Sequence, residues 1–133
     1  MLLVVAALIE SEGKLLVCQR RRGTPFELMW EFPGGKVHAG ETLEAALARE
    51  LQEELGVAAA IGPEIYRTRH TYAELNEPLE LVFFATSMAG DCIRNLAFEQ
   101  IAWEEPRALT SMNFLPADRE FIEKLASDAL RLP

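Results

Sequence analysis

The sequence predicts an α/β fold, a mixed β-sheet packed between helices. Three features carry that prediction. Short apolar runs with strand character occur at residues 4–9, 14–19 and 79–87. An amphipathic helix with a capping residue at each end spans about Leu43 to Leu55, and a second helical segment covers residues 116–130. Strands interleaved with two helices fit a sheet covered by helices better than an all-β or all-α arrangement.

Taken in order, residues 1–9 (MLLVVAALI) are apolar, but no basic segment precedes them, Glu10 and Glu12 follow at once, and no small-residue cleavage site appears. The run is also too short to cross a membrane, so it reads as a buried first strand. Ser11-Glu12-Gly13 then turns the chain into the strand at Lys14–Gln19, forming a hairpin. Arg20, Arg21 and Arg22 open a polar loop through Gly23, Thr24 and Pro25, and the default for Arg21 and Arg22 is solvation. Residues 30–32 read as a short strand leading into Pro33-Gly34-Gly35, and Lys36-Val37 as another. Thr42 is placed to cap the helix and Gly56 to close it. Residues 57–61 and 64–72 read as two extended segments broken at Gly62-Pro63. Residues 73–78 read as a turn region, and 79–87 is the strongest later strand, with Leu81, Val82, Phe83 and Phe84 buried on both faces. Residues 88–96 read as a loop, 98–103 as a strand and Pro106–Leu109 as a helical turn. The last helix, 116–130, has Pro116 at its first position and an apolar stripe of Phe121, Leu125 and Ala129.

The chain of 133 residues is long enough for a hydrophobic core, and with no repeats, low-complexity tracts or linkers it reads as one domain, 1–133. Its net charge of −8 argues against a nucleic-acid polymer as partner, because backbone binding needs a basic face. A small phosphorylated ligand remains compatible if a metal neutralises the local charge. Cys18 and Cys92 lie on apolar segments without metal-ligand spacing, and they read as reduced, buried thiols of a cytoplasmic protein.

The helix carries the chemistry. Leu43, Leu47, Leu51 and Leu55 form an i, i+4 stripe for burial. Beside it, Glu50, Glu53 and Glu54 fall within an arc of roughly 100°. Like charges at i, i+4 cost a few tenths of a kcal/mol, which a hard divalent cation offsets, since Mg²⁺ takes oxygen ligands from carboxylates and substrate phosphates. The plainer alternative is a solvated acidic helix with an Arg49–Glu53 ion pair.

From Gly35 to Val57 the chain reads G-x5-E-x7-R-E-L-x-E-E-x-G-V, with Glu41, Arg49, Glu50, Glu53, Glu54 and Gly56 in place. This segment resembles the Nudix box, and the preceding Trp30-Glu31-Phe32-Pro33-Gly34 resembles the MutT-like branch of that family. The resemblance implies an α/β/α sandwich and a Mg²⁺- or Mn²⁺-dependent hydrolase of nucleoside diphosphate derivatives. It implies metal ligation by Glu50, Glu53 and Glu54 with the carbonyl of Gly34, and a general base that is Glu53 first and Glu50 second. Glu41 and Arg49 are expected to form an ion pair bracing loop and helix, while Gly35 and Gly56 serve the backbone of the box. On the substrate side the resemblance points to Arg20 for phosphates, Asp118 for the base, and Phe32; His70 and Tyr72 are further candidates for the base pocket. An ionised Asp118 accepts hydrogen bonds and suits an exocyclic amine, whereas a protonated one suits an oxidised guanine. The alternative for Asp118 is a purely helical role at a helix N-terminus.

One departure stands out. MutT-like relatives carry a glutamate six residues before the tryptophan of the late strand, and here that position is Ala97, leaving Glu99 as the nearby substitute ligand. The resulting expectation is a pyrophosphohydrolase that converts a nucleoside triphosphate to the monophosphate and pyrophosphate. Partners are expected to be a small nucleotide, with no nucleic-acid polymer and no membrane, and the protein a monomer or homodimer. The alternatives are hydrolysis of a nucleotide sugar or dinucleoside polyphosphate, and a nucleotide-binding module without catalysis.

Overall fold

A computed structural model describes residues 1–73, 76–90 and 92–127. The apolar first run becomes β1 (Leu2–Ser11), which turns at a short hairpin into β2 (Lys14–Gln19). β3 (Trp30–Glu31) and β4 (Gly34–Lys36) precede α1 (Leu43–Leu55); β5 (Ala59–His70), β6 (Leu79–Met88), β7 (Gln100–Glu104), α2 (Pro106–Leu109) and α3 (Pro116–Ala126) follow. β1 runs parallel to β6, from Leu2 opposite Leu79 to Ile9 opposite Thr86, and β6 pairs antiparallel with β5. Along its other edge β1 meets β4 at Val4–Ala6 and β2 only at Glu10 and Ser11. β2 also pairs with β3 and β7. The mixed sheet therefore has two leaves, β4-β1-β6-β5 and β3-β2-β7, hinged at the β1–β2 hairpin.

Strand alternation explains the apolar first run. Val5, Ala7 and Ile9 pack with Leu47, Leu51 and Leu55 of α1, while Ala6 and Leu8 pack with Phe114, Phe121 and Ile122 on the α3 side. β6 does the same, with Val82 and Phe84 toward α1 and Leu81 and Phe83 toward α3. Both faces of the central strands are covered, so a period-2 pattern would leave one face without a core. Leu47, Leu51 and Leu55 are fully buried, each contributing about 1.5–3 kcal/mol of burial free energy. Thr42 Oγ1 accepts from Ala45 N at 3.0 Å and Gly56 closes the helix at φ 65°.

Several expectations are corrected. The two segments around Gly62-Pro63 are one strand, β5, whose register shifts between Ile61 and Glu64 and again between Glu64 and Tyr66. An edge strand absorbs a proline in a bulge, because the missing N–H faces away from the ladder. The strands expected at 30–32 and 98–103 shorten to Trp30–Glu31 and Gln100–Glu104, since Phe32 and Phe98 turn into the core. The short strand expected at Lys36-Val37 lies earlier, at Gly34–Lys36, where β1 offers its edge. Cys18 is a buried free thiol, but Cys92 is exposed, because it sits in the connection after β6 and not in the sheet. The last helix, expected to run to residue 130, ends at Ala126 with Ser127 as its C-cap; residues 128–130, with Ala129, lie outside the described residues, as do Glu74, Leu75 and Asp91 of the expected turn and loop. No helix among the described residues is long and apolar enough to cross a membrane.

Candidate active site

A cavity of about 420 Å³ opens between β1, β3, β4, α1 and the start of α3. One end is acidic: Glu50 and Glu54 reach it from α1, Glu31 from β3, and Gly34 and Gly35 border it with backbone. The glycines are required by contact. A Cβ on Gly35 would lie 2.5 Å from the Glu50 carboxyl carbon, and one on Gly34, at φ 155°, would lie 2.0 Å from the Val5 carbonyl oxygen. Only bare backbone lets β4 slide between β1 and the helix carboxylates.

Charge at this end is unbalanced. Burial, reinforced by Glu31 and Glu50, pushes the Glu54 carboxyl up to about 9, although Gly34 N donates to its Oε1 at 3.1 Å. Burial also raises Glu31, and Glu50 adds to that, against the opposing pull of Arg20, whose Nη1 donates to Glu31 Oε2 at 3.1 Å. Glu53 projects differently. Its side chain is 58% exposed, does not border the cavity, and lies 3.4 Å from Arg49 Nη1.

Arg49 occupies the outer side of the same helix. Its Nε donates to Glu41 Oε2 at 2.7 Å and its Nη2 to Glu41 Oε1 at 3.0 Å, while Nη2 also reaches the Lys36 carbonyl at 3.0 Å. Nη1 donates to Glu50 Oε1 at 2.9 Å. Glu41 further accepts from His38 N at 2.8 Å, and the Arg49 hydrogen bonds followed by that backbone N–H hold its carboxyl down to about 2. The two-bonded Arg49–Glu41 pair thus ties the loop to the helix, and the Arg49–Glu53 contact is its minor arm.

The opposite end of the cavity is apolar, with Val4, Phe26, Leu81 and Tyr72 among its walls. The Tyr72 hydroxyl accepts from Ala117 N at 2.9 Å, and its ring lies 5.1 Å from that of Phe26. Asp118, in the first turn of α3, borders this end at 3% exposure; burial, followed by the charge of Glu31, raises its carboxyl well above the usual range. Backbone pairing places these two acids near each other: Trp30 bridges to Phe114, Leu115 N donates to Trp30 O at 3.0 Å, and Asp118 N donates to Leu115 O at 3.0 Å. Phe32 borders the cavity from within an aromatic cluster with Phe83, Phe114 and Phe121. His70 is corrected: it does not border the cavity but packs on Tyr72, with ring centroids 4.5 Å apart, and Tyr72 takes the wall position. Glu99 does not border it either, because Arg22 N and Nε engage its carboxylate at 3.3 and 3.8 Å. Arg21, expected to be solvated, is exposed but also donates from Nε to Phe98 O at 3.3 Å.

Residues 94–98 cannot easily deliver a substitute acid. Arg94 N and Leu96 N donate to the Leu55 and Glu54 carbonyls, Asn95 and Phe98 bond each other twice, and Ala97 packs against the α1-side core. The sequence reading missed Glu31 as a cavity acid and Phe26 as a wall. Glu31 carried a detectable signal, an acid on a short strand immediately before the glycine turn.

The oxygen donors suit a hard divalent cation. Among the described residues, no three His, Cys, Asp or Glu side chains stand as a ready-made ligand set. Mg²⁺ does not require one: it keeps waters and takes one or two carboxylates plus substrate phosphates. Glu50, which shares its charge with Arg49, and Glu54, which has no cation bonded to it among the described residues, fit that requirement.

Residues 2–125 match the NUDIX domain. The chain is 34% identical over 129 residues to an 8-oxo-dGTP diphosphatase of Haemophilus influenzae, covering 94% of this chain and 91% of that protein. It is 32% identical over 123 residues to the CTP pyrophosphohydrolase of Escherichia coli, covering 92% and 90%. The solution structure of the E. coli ORF135 protein superimposes with a TM-score of 0.80 at 30% identity, covering 97% of this chain and 89% of that one.

Proposed function

This chain belongs to the Nudix family, in its MutT-like branch, and from that premise we propose that it hydrolyses a nucleoside triphosphate to the monophosphate and pyrophosphate. The observation that carries the proposal is one cavity of about 420 Å³ bordered both by the carboxylates of Glu50 and Glu54 and by the rings of Phe26 and Tyr72 with Asp118. One nucleotide laid along it has its phosphates at the carboxylates and its base at the start of α3.

Bound Mg²⁺ or Mn²⁺ would neutralise the phosphates and make the attacking water more acidic. Glu50 and Glu54 would hold the cation, with Glu53 and the Gly34 carbonyl as further ligands. Of the carboxylates, Glu53 is the first candidate to take the proton of the water and Glu50 the second. Arg20 lines the cavity and binds phosphate oxygens. Asp118, whose carboxyl burial pushes well up, meets the base edge, where its protonated form offers both a donor and an acceptor and its ionised form only acceptors. The enzyme acts in the cytoplasm on the nucleotide pool, and Phe32 backs the base site.

The test is pyrophosphate release with Mg²⁺ from CTP, dCTP, modified cytidines, dATP and oxidised dGTP and dATP, with Glu53→Gln and Glu50→Gln beside the wild type. Release from one or two members, lost in a variant, supports the reaction and identifies the base read by Asp118. No release from any member overturns it and turns attention to nucleotide sugars and dinucleoside polyphosphates.

A further inference from the structure

The cavity wall holds an ion pair, Arg20–Glu31, that the box pattern does not account for. The Arg20 guanidinium is fastened on two sides: Nε donates to the Pro25 carbonyl at 2.7 Å, and Nη1 donates to both Glu31 oxygens, at 3.1 and 3.3 Å. Its Nη2 has no hydrogen-bond partner among the described residues, and Arg20 borders the cavity. Both side chains are mostly buried, 28% exposed for Arg20 and 20% for Glu31.

We propose that Glu31 is a positioning residue: together with the Pro25 carbonyl it fixes the Arg20 guanidinium so that Nη2 faces the substrate phosphates. The proposal rests on the reading of Arg20 as a phosphate contact and adds the residue that prepares it. The placement follows from the fold. β2 and β3 pair Cys18 with Glu31 and Gln19 with Trp30, so Arg20 leaves β2 beside the strand that carries Glu31. The intervening arch closes on Arg20 itself, whose backbone N donates to Met29 O and whose carbonyl accepts from Leu28 N, each at 2.9 Å. Within the arch, Phe26 and Leu28 adopt φ 59° and 61°, a left-handed backbone that side-chain-bearing residues rarely take. Such a conformation persists only where its surroundings over-determine it, and here the Arg20 contacts do so.

The location of Glu31 argues for the same role. A further carboxylate in a cavity that already holds Glu50, Glu54 and Asp118 works against binding a polyanion unless its charge is spent on a cation. Paired with Arg20, it leaves that cation oriented while the arginine's freedom is lost before the substrate arrives.

The test is a double-mutant cycle on binding of the α,β-methylene analogues of dCTP and dGTP with Mg²⁺, which reads the site without turnover. Glu31→Ala is expected to weaken binding about tenfold in the wild type but to leave it unchanged or strengthen it in an Arg20→Ala background, where the carboxylate has lost its cation and only repels the phosphates. Glu31→Gln, whose amide oxygen still accepts from Nη1, recovers most of the loss and serves as the probe if Glu31→Ala does not fold. Mn²⁺ affinity without nucleotide, read by electron paramagnetic resonance, changes alike in Glu31→Ala and Glu31→Gln, which remove the same charge from the surroundings of Glu54. A full loss for Glu31→Ala in the Arg20→Ala background, or a fall in Mn²⁺ affinity in Glu31→Ala well beyond that in Glu31→Gln, overturns the proposal, since Glu31 would then touch substrate or metal itself. Unchanged analogue binding in Glu31→Ala also overturns it. Analogue binding by the wild type stands apart from the pyrophosphate panel, so failure here is distinguishable from failure of the hydrolase reading.

Discussion

Two acid-rich clusters flank α1, and they are held in opposite ways. Outside, Glu41, Glu50 and Glu53 surround Arg49, and the cation satisfies them; Glu41 is held down to about 2. Inside, Glu54 and Asp118 share a cavity with Glu31, whose charge meets only Arg20, and burial pushes both carboxyls up, Glu54 to about 9. Glu50 belongs to both groups, with one oxygen on Arg49 and the carboxylate against Gly35. The contrast separates structure from function. Glu41 has its counter-ion built in, whereas Glu54 and Asp118 are buried with no ion pair among the described residues.

The comparison can be broken at either cluster. The largest effect is expected from Glu54→Gln, which removes an inside acid: turnover with Mg²⁺ should fall about 10³-fold, while the melting temperature at pH 8 holds or rises because the fold no longer has to take up a proton that the unfolded chain has lost. A pyrophosphate-release assay beside a thermal melt reads both. Arg49→Ala should do the reverse in part, lowering the melting temperature by freeing the loop from the helix. It should also cut turnover about 10²-fold by letting Glu50 drift.

Metal-free stability against pH sharpens the same contrast. The Glu54 carboxyl titrates near 9 in the fold against an ordinary value of 4.5, so between those values the folded protein holds a proton that the unfolded chain has lost. Stability therefore falls as pH rises through that window, with a slope of at most about 1.4 kcal/mol per pH unit from this group. Asp118 adds a slope of the same sign. Glu54→Gln should reduce the slope in chemical denaturation measured from pH 5 to 9, and saturating Mg²⁺ should oppose it, because the cation needs the ionised carboxylate. Glu41 works the other way: its contribution is present above 4.5 and is lost as pH falls toward about 2, a loss that Arg49→Ala should blunt. The smallest effect belongs to Thr42→Ala, which removes the cap on α1 and should cost about 1 kcal/mol in denaturant unfolding with little change in turnover.

Much of this was legible in the chain. α1 keeps its expected bounds, its cap and its buried leucines because those depend on neighbours within a few residues. The Arg49–Glu41 pair is likewise a local matter of eight positions across a glycine turn. Errors gathered where partners are remote. Gly62-Pro63 reads as a break until β6 supplies a ladder that tolerates a bulge. His70 and Tyr72 are equal candidates until packing gives the wall to Tyr72. Glu31 passes as part of a motif until β2 brings Arg20 to it.

By itself, the sequence determined the helix, the spacing of its carboxylates and the glycine turn, since periodicity and spacing act along the chain; the reaction class came from the resemblance of that pattern to the Nudix box. Only the tertiary structure decided that Glu53 and Glu54, adjacent on one helix, live in solvent and in a cavity respectively, and that Glu31 and Asp118 border the same cavity. Burial and pairing are properties of what packs opposite a residue. Here the packing partners lie on β1, β2 and α3, far away in sequence.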